Sequence, residues 1–168
     1  MALIRRAPRV PQDIAAHLPS RERALLAAPL TDGQWAVITR PALVVAGPDG
    51  LTERSTWDEI ETGAWDGESR TFTITWSDRT RAPHDLRFTD DVLPDFTAAL
   101  RERVQSSVIH AEIDEVGGTR VRATVRRRED GSLYSRLTAF GPLTGSPEET
   151  AQLDDLERRV REAAGLAP

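Results

Sequence analysis

Three histidines, His17, His84 and His110, are the residues best suited to proton transfer or metal binding, and the chain has no cysteine. Without thiols, cysteine nucleophiles and thiolate metal sites are excluded. His110, Glu112 and Asp114 alternate along the chain. In a strand every second side chain leaves the same face, so these three would form a set of hard donors suited to a divalent cation. The better reading places Arg120 and Arg122 opposite two of the carboxylates, where exposed ion pairs satisfy them and no metal is assigned. His84-Asp85 and Asp90-Asp91 supply an imidazole and orienting carboxylates, the ingredients of general-base chemistry. No Gly-x-Ser-x-Gly elbow, His-Glu-x-x-His pair or phosphate-cradling glycine loop accompanies them. His84 follows Pro83 in a turn, and Asp90-Asp91 stand where a helix needs a cap. No catalytic residue and no cofactor is assigned. An enzyme using His84 or the His110, Glu112 and Asp114 face is the second reading.

The densest basic stretch is Arg120, Arg122, Arg126, Arg127 and Arg128, with Arg136 expected near Arg126 on the neighbouring strand. It is the leading candidate for an interaction surface. Nucleic-acid binding through it is the third reading, because only Tyr134 and Phe140 are placed to stack on bases. Four tryptophans, Trp35, Trp57, Trp65 and Trp76, fall in or beside predicted strands, where bulky side chains fill a small interior. Trp65 is the exception, pointing away from that interior in the register given below. The partner-binding candidates are therefore Arg126, Arg127, Arg128, Arg136 and Trp65, and the expected function is a non-enzymatic binding or scaffold role with a protein partner.

The elements that must position these residues follow from periodicity. Residues 1–19 interleave Arg5, Arg6 and Arg9 with Pro8, Pro11 and Pro19, which predicts an arm with one short helix near Gln12 to Leu18. From Ala24 to Thr89, short apolar runs separated by turn signals predict about seven antiparallel strands. A three-residue Gly67-Glu68-Ser69 loop would pair Ala64 with Phe72, Thr62 with Ile74 and Ile60 with Trp76. Leu93, Phe96, Leu100 and Val104 then mark an amphipathic helix started by Asp90-Asp91. A three-residue Val116-Gly117-Gly118 loop pairs Ile113 with Val121 and Ala111 with Ala123, and on the other face Asp114 with Arg120 and Glu112 with Arg122. A loop at Asp130-Gly131-Ser132 brings Val125 beside Leu137 and completes a three-stranded meander. Ser146-Pro147-Glu148-Glu149 reads as a capping box opening a last helix on Leu153, Leu156, Val160 and Ala163.

At 168 residues the chain can bury a useful core without staples. Its net charge of −5 gives no global attraction to nucleic acid or anionic lipid. All 22 basic residues are arginine, which reads as the codon bias of a GC-rich genome. The N-terminal residues lack the apolar run of a secretory signal and no stretch is long enough to span a bilayer, which predicts a cytoplasmic protein.

Seven short strands followed by one helix resemble a pleckstrin-homology-like barrel. Leu18-Pro19-Ser20-Arg21-Glu22-Arg23, Trp35 to Arg40, Trp57-Asp58-Glu59-Ile60 and Arg103 to Val108 are similar to stretches in a group of conserved bacterial proteins of unknown function, of the actinobacterial type. The resemblance implies an α+β fold: an antiparallel barrel over 20–107 capped by the helix, then a three-stranded meander with a C-terminal helix over 108–168. It implies no activity. Lipid-binding members of the pleckstrin-homology class hold phosphoinositides with basic residues around the first hairpin. Here that hairpin reads Leu30-Thr31-Asp32-Gly33-Gln34, which argues against phosphoinositide. The element order leaves open whether the meander packs on its own barrel or is exchanged with a second copy in a homodimer.

Overall fold

The computed structural model describes residues 9–89 and 94–167. The arginines at 5 and 6 and the proposed Asp90-Asp91 cap lie outside them. Among the described residues the chain is α+β, with ten strands in three small antiparallel sheets and three helices. No described helix is long and apolar enough to cross a membrane. The chain divides into two compact units, Met1–Gln105 and Ser106–Pro168.

In the first unit, β1 (Leu26–Pro29), β2 (Trp35–Ile38), β3 (Ala42–Gly47) and β4 (Gly50–Thr56) form one sheet in sequence order. All six residues of β3 are buried, because both faces of this sheet are covered. On one face Ala36, Ile38, Leu43 and Val45 join the main core; on the other Val37, Ala42, Val44 and Ala46 pack with Ile14. Ile14 comes from α1 (Gln12–Ala15), so the predicted arm carries a short helix that is anchored by one buried side chain. A strand buried on both faces reads as a continuous apolar run, as Ala42 to Ala46 does.

The second sheet holds β5 (Ile60–Asp66), β6 (Thr71–Trp76) and β7 (His84–Arg87). Among the described residues one β-bridge links it to the first, Leu30 to Phe88, flanked by Thr31 N–H donating to Arg87 O at 2.9 Å. The seven strands thus form two sheets joined at a corner, and no closed barrel is present among the described residues. Helix α2 (Pro94–Ser106) lays Phe96, Leu100 and Val104 on the shared core, as their spacing predicts.

The β5–β6 register departs from expectation. Ile60 faces Trp76 as predicted, but a bulge at Glu61 then shifts the pairing, so that Ala64 faces Thr73 and Trp65 faces Phe72. Arg70, at a φ of 52°, closes a longer turn than the one read from Gly67-Glu68-Ser69. One extra residue reverses the facing of the rest of the strand. Trp65 is therefore turned inward and half-buried, its ring 5.8 Å from that of Phe88. Trp57 and Trp76 fill the core as expected, their indole N–H groups donating to Arg40 O at 3.0 Å and Ala82 O at 2.9 Å.

The second unit is the predicted meander and helix. Strands β8 (Val108–Val116), β9 (Thr119–Arg127) and β10 (Leu133–Ala139) form a sheet in the order β10-β9-β8. Helix α3 (Pro147–Ala163) covers one face, burying Leu156 and Val160 against Val116, Val121, Ala123 and Val125. Its start is the predicted cap: Ser146 Oγ accepts from Glu149 N–H, and Pro147 stands in the first turn. Glu149 reaches back to accept from the N–H groups of Thr144 and Gly145, both at 2.8 Å.

Here too the register is offset. The β8–β9 turn is the two-residue Gly117-Gly118, both at positive φ, as a tight hairpin requires. Glu112 therefore faces Ala123, Asp114 faces Val121 and Ile113 faces Arg122, one place from the predicted pairing. A bulge at Ile109 follows. Between β9 and β10, Arg128 N–H donates to Ser132 O and Val125 faces Ser135, two places from the predicted pairing. An even slip leaves every side chain on its predicted face; an odd slip does not.

Candidate functional site

The one-place shift sorts the chemistry of the second unit onto two faces. His110, Glu112 and Asp114 share the face of Val121, Ala123 and Val125, beneath α3. Arg120, Arg122, Thr124 and Arg126 lie on the opposite face. The carboxylates are thus not paired with Arg120 and Arg122. Their cation is Arg159 on α3, whose Nη2 donates to Asp114 Oδ2 at 2.6 Å and whose Nε donates to Glu112 Oε2 at 3.3 Å. Asp155 Oδ2 accepts from Arg159 Nη1 at 2.6 Å, and His110 Nε2 lies 3.3 Å from Glu112 Oε1. The Glu115 N–H and then the Arg159 guanidinium hold the Asp114 carboxyl below the ordinary range, and Asp114 in turn raises Arg159. A cleft of about 370 Å³ lies beside this network, lined by Asp114, Val116, Gln152, Asp155 and Arg159. Among the described residues no group of three or more His, Cys, Asp or Glu is placed to hold a metal. The His110, Glu112 and Asp114 face is a set of ion pairs fastening α3 to the sheet.

His84 has a different partner from those read in the sequence. It lies on β7, and its Nδ1 is 3.1 Å from Glu53 Oε2 on β4. A carboxylate on Nδ1 is the orienting half of a general-base pair. Glu53, however, also accepts from Arg81 Nη2 at 3.0 Å and from Ser55 Oγ at 2.9 Å, and Arg81 stacks 3.5 Å from the centre of the Trp76 ring. The hydroxyl in the cluster, Ser55, is buried and bonded to the carboxylate. The arrangement joins the edges of two sheets and presents no activated nucleophile.

The face of the third sheet away from α3 carries Arg120, Arg122, Arg126 and Arg136; it is exposed at Arg120 and buried at Thr124, Arg126 and Thr138. Reading across from β10 to β8, one row is Phe140, Arg120 and Glu115, and the next is Thr138, Arg122 and Ile113. Then come Arg136, Thr124 and Ala111, followed by Tyr134 and Arg126. Ile113 is 55% exposed and Phe140 51%, and Arg120 is exposed between them. The Arg120 guanidinium lies 5.7 Å from the centre of the Phe140 ring, and that of Arg128 lies 4.1 Å from Tyr134. Among the described residues Arg120 makes no ion pair. Arg126 is the correction within the basic stretch: it is 0% exposed, with Nη1 3.5 Å from Ser107 Oγ, and is part of the interior. Arg136 is half-buried, and Arg127 sits on the α3 side of the sheet. Ile113 was missed from the sequence because the predicted register turned it inward, toward Val121. The Asn/Asp/Gly-type turn signal in Gly117-Gly118 was the one that could have placed it, since two glycines together favour a two-residue hairpin.

Compared with protein-family models, with curated proteins and with solved structures, the chain gives no significant match.

Proposed function

We propose that the chain is a non-enzymatic binding protein, a pleckstrin-homology-like unit followed by a meander and helix, that docks a protein partner at the exposed end of its third sheet, around Ile113, Arg120 and Phe140. The observation that carries this reading is the exposure of Ile113 and Phe140 on either side of the exposed Arg120. Aromatic and aliphatic anchors beside arginine are the composition of protein interfaces. Two sheets of short strands with α2 laid over their common core support the pleckstrin-homology-like comparison.

Other partners fit less well. At the first hairpin Asp32 binds the N–H and the side-chain amide of Gln34, where a phosphoinositide would need cations. The rings of Tyr134 and Phe140 each have an arginine over them, and a ring face so occupied does not stack a base.

Site-specific photo-crosslinkers replacing Ile113 or Phe140 in the full chain, in the cells that produce it, test the reading. Protein adducts from these two positions, lost in Arg120→Glu and absent from crosslinkers at the exposed Leu25 and Leu51, are the expected result. Equal adducts from all four positions, or adducts to nucleic acid, overturn it.

A further inference from the structure

We infer that β8 is a dimer seam, whose outer edge pairs antiparallel with the β8 of a second copy of the chain about a two-fold axis at Ala111. This goes beyond the docking reading, since it uses a strand edge and neither Arg120 nor Phe140. β8 is the last strand in the order β10-β9-β8. The two-residue Gly117-Gly118 turn makes Val116 and Thr119 a hydrogen-bonded pair, and the bonding then alternates along the ladder. Asp114, Glu112 and His110 therefore bond to β9, while the backbone N–H and C=O groups of Glu115, Ile113 and Ala111 point away from it. Accordingly the Glu115 N–H donates to Asp114 Oδ1, at 2.9 Å, and not to β9. Among the described residues no strand or loop bonds to the outward groups of Ala111 and Ile113.

The stretch available for pairing is short and symmetric. The bulge at Ile109 ends its regularity on one side, and on the other the Glu115 N–H is already bonded. That leaves residues 109–113, with Ala111 in the middle. Ile109, Ala111 and Ile113 alternate along it on the face away from α3, and all three are exposed. An edge strand with unbonded backbone groups and exposed apolar side chains is a template for strand addition.

Register and charge select a second copy as the added strand. With the axis at Ala111, each Ile113 faces the second copy's Ile109, and each Glu112 faces its His110. An aliphatic pair and an imidazole beside a carboxylate are both favourable cross-strand neighbours. Glu112 already accepts from Arg159 Nε at 3.3 Å, so the seam holds no uncompensated carboxylate. Moving the axis to Glu112 sets that carboxylate against its own copy, and moving it to Ile113 sets it against Asp114. Moving it to His110 carries the seam into the bulge. A seam of one short strand pair is small, so the dimer is weak and fills as concentration rises.

The test is sedimentation equilibrium of the purified full chain over a concentration series reaching the millimolar range. Mass is expected to rise from monomer toward dimer, and Ile113→Asp to weaken the association by about ten-fold or more. Leu51→Asp, at another exposed apolar position, leaves it unchanged. Because Ile113 is exposed, the dilute Ile113→Asp chain should melt as the parent does. Single cysteines report the register, since the chain has none of its own. Ala111→Cys faces itself across the axis, within disulfide range, and should link on mild oxidation at least about ten-fold faster than Glu112→Cys. A chain that stays monomeric, a dimer indifferent to Ile113→Asp, or equal linking by the two cysteines overturns the inference. A monomeric chain whose photo-crosslinker at 111 captures a different protein assigns the edge to a foreign strand and also overturns it. The docking reading is tested apart from this, at position 140. If the chain is monomeric while 113 and 140 give protein adducts, the seam fails and the docking reading stands. If the chain dimerises as described and 140 gives none, the seam stands and the docking reading fails.

Discussion

The ring of Phe72 lies against the backbone of Gly63, its diagonal neighbour across the β5–β6 pair, in the space a Cβ would occupy. Phe72 is fully buried, so the ring has nowhere to retreat. Gly63→Ala is expected to cost about 1–3 kcal/mol by overpacking, read from urea denaturation. Combining it with Phe72→Leu should recover part of that loss, giving a non-additive double-mutant cycle. Additive effects would show that the ring does not sit over the glycine.

The β8–β9 register can be tested with cysteine pairs, because the chain has no cysteine of its own. Directly facing residues in an antiparallel pair bring their Cα atoms within disulfide range. Glu112→Cys with Ala123→Cys should form a disulfide on mild oxidation. Glu112→Cys with Arg122→Cys, the pairing of the alternative register, should remain reduced.

Arg126 and Arg127 are neighbours with opposite environments. Arg126→Ala empties a fully buried position and is expected to lower stability by roughly 2 kcal/mol or more. Arg127→Ala, at an exposed site, should stay within about 0.5 kcal/mol. A pair of thermal melts distinguishes them.

The N-cap of α3 gives a third kind of stability prediction. Ser146→Ala removes the acceptor of the Glu149 N–H and should cost about 1 kcal/mol. Ser146→Asp, which restores an acceptor, should recover most of it. Gly117→Ala should also destabilise, since its φ is +54° and an added Cβ would collide with the Glu149 carboxylate.

Acid should loosen the second unit. The Ser132 hydroxyl holds Asp130 low, the Glu115 N–H and Arg159 hold Asp114 low, and at Glu149 burial pushes the carboxyl up but is outweighed by hydrogen bonds from Thr144, Gly145 and Ser146. A carboxylate depressed in the folded state contributes stability that is complete above its unfolded pKa and is lost as pH falls through the folded one. Melting temperature should therefore hold steady above about pH 5 and fall as pH drops below about 4. Asp114→Asn should make that acid limb shallower. An unchanged limb would mean that the Arg159 contact contributes nothing.

The strands, the two helices α2 and α3, the capping box and the face assignments of β10 were legible in the sequence because each depends on local periodicity or on one turn. Ile113, an anchor of the candidate site, was not. Its exposure depends on whether Gly117-Gly118 is closed as a two-residue or a three-residue turn.

By itself the sequence determined an α+β chain with no thiol chemistry, an amphipathic helix over a strand-rich core, and a meander closed by a capped helix. Tertiary structure alone decided which side of β5 and of β8 faces the core. Strand side chains alternate with a period of two, so one bulge at Glu61 turned Trp65 inward, and one residue fewer in the β8–β9 turn separated Asp114 from Arg120 and gave it to Arg159. The same residue types, moved by a single place, took the carboxylates of β8 to the α3 side and brought Ile113 out beside Arg120 and Arg122.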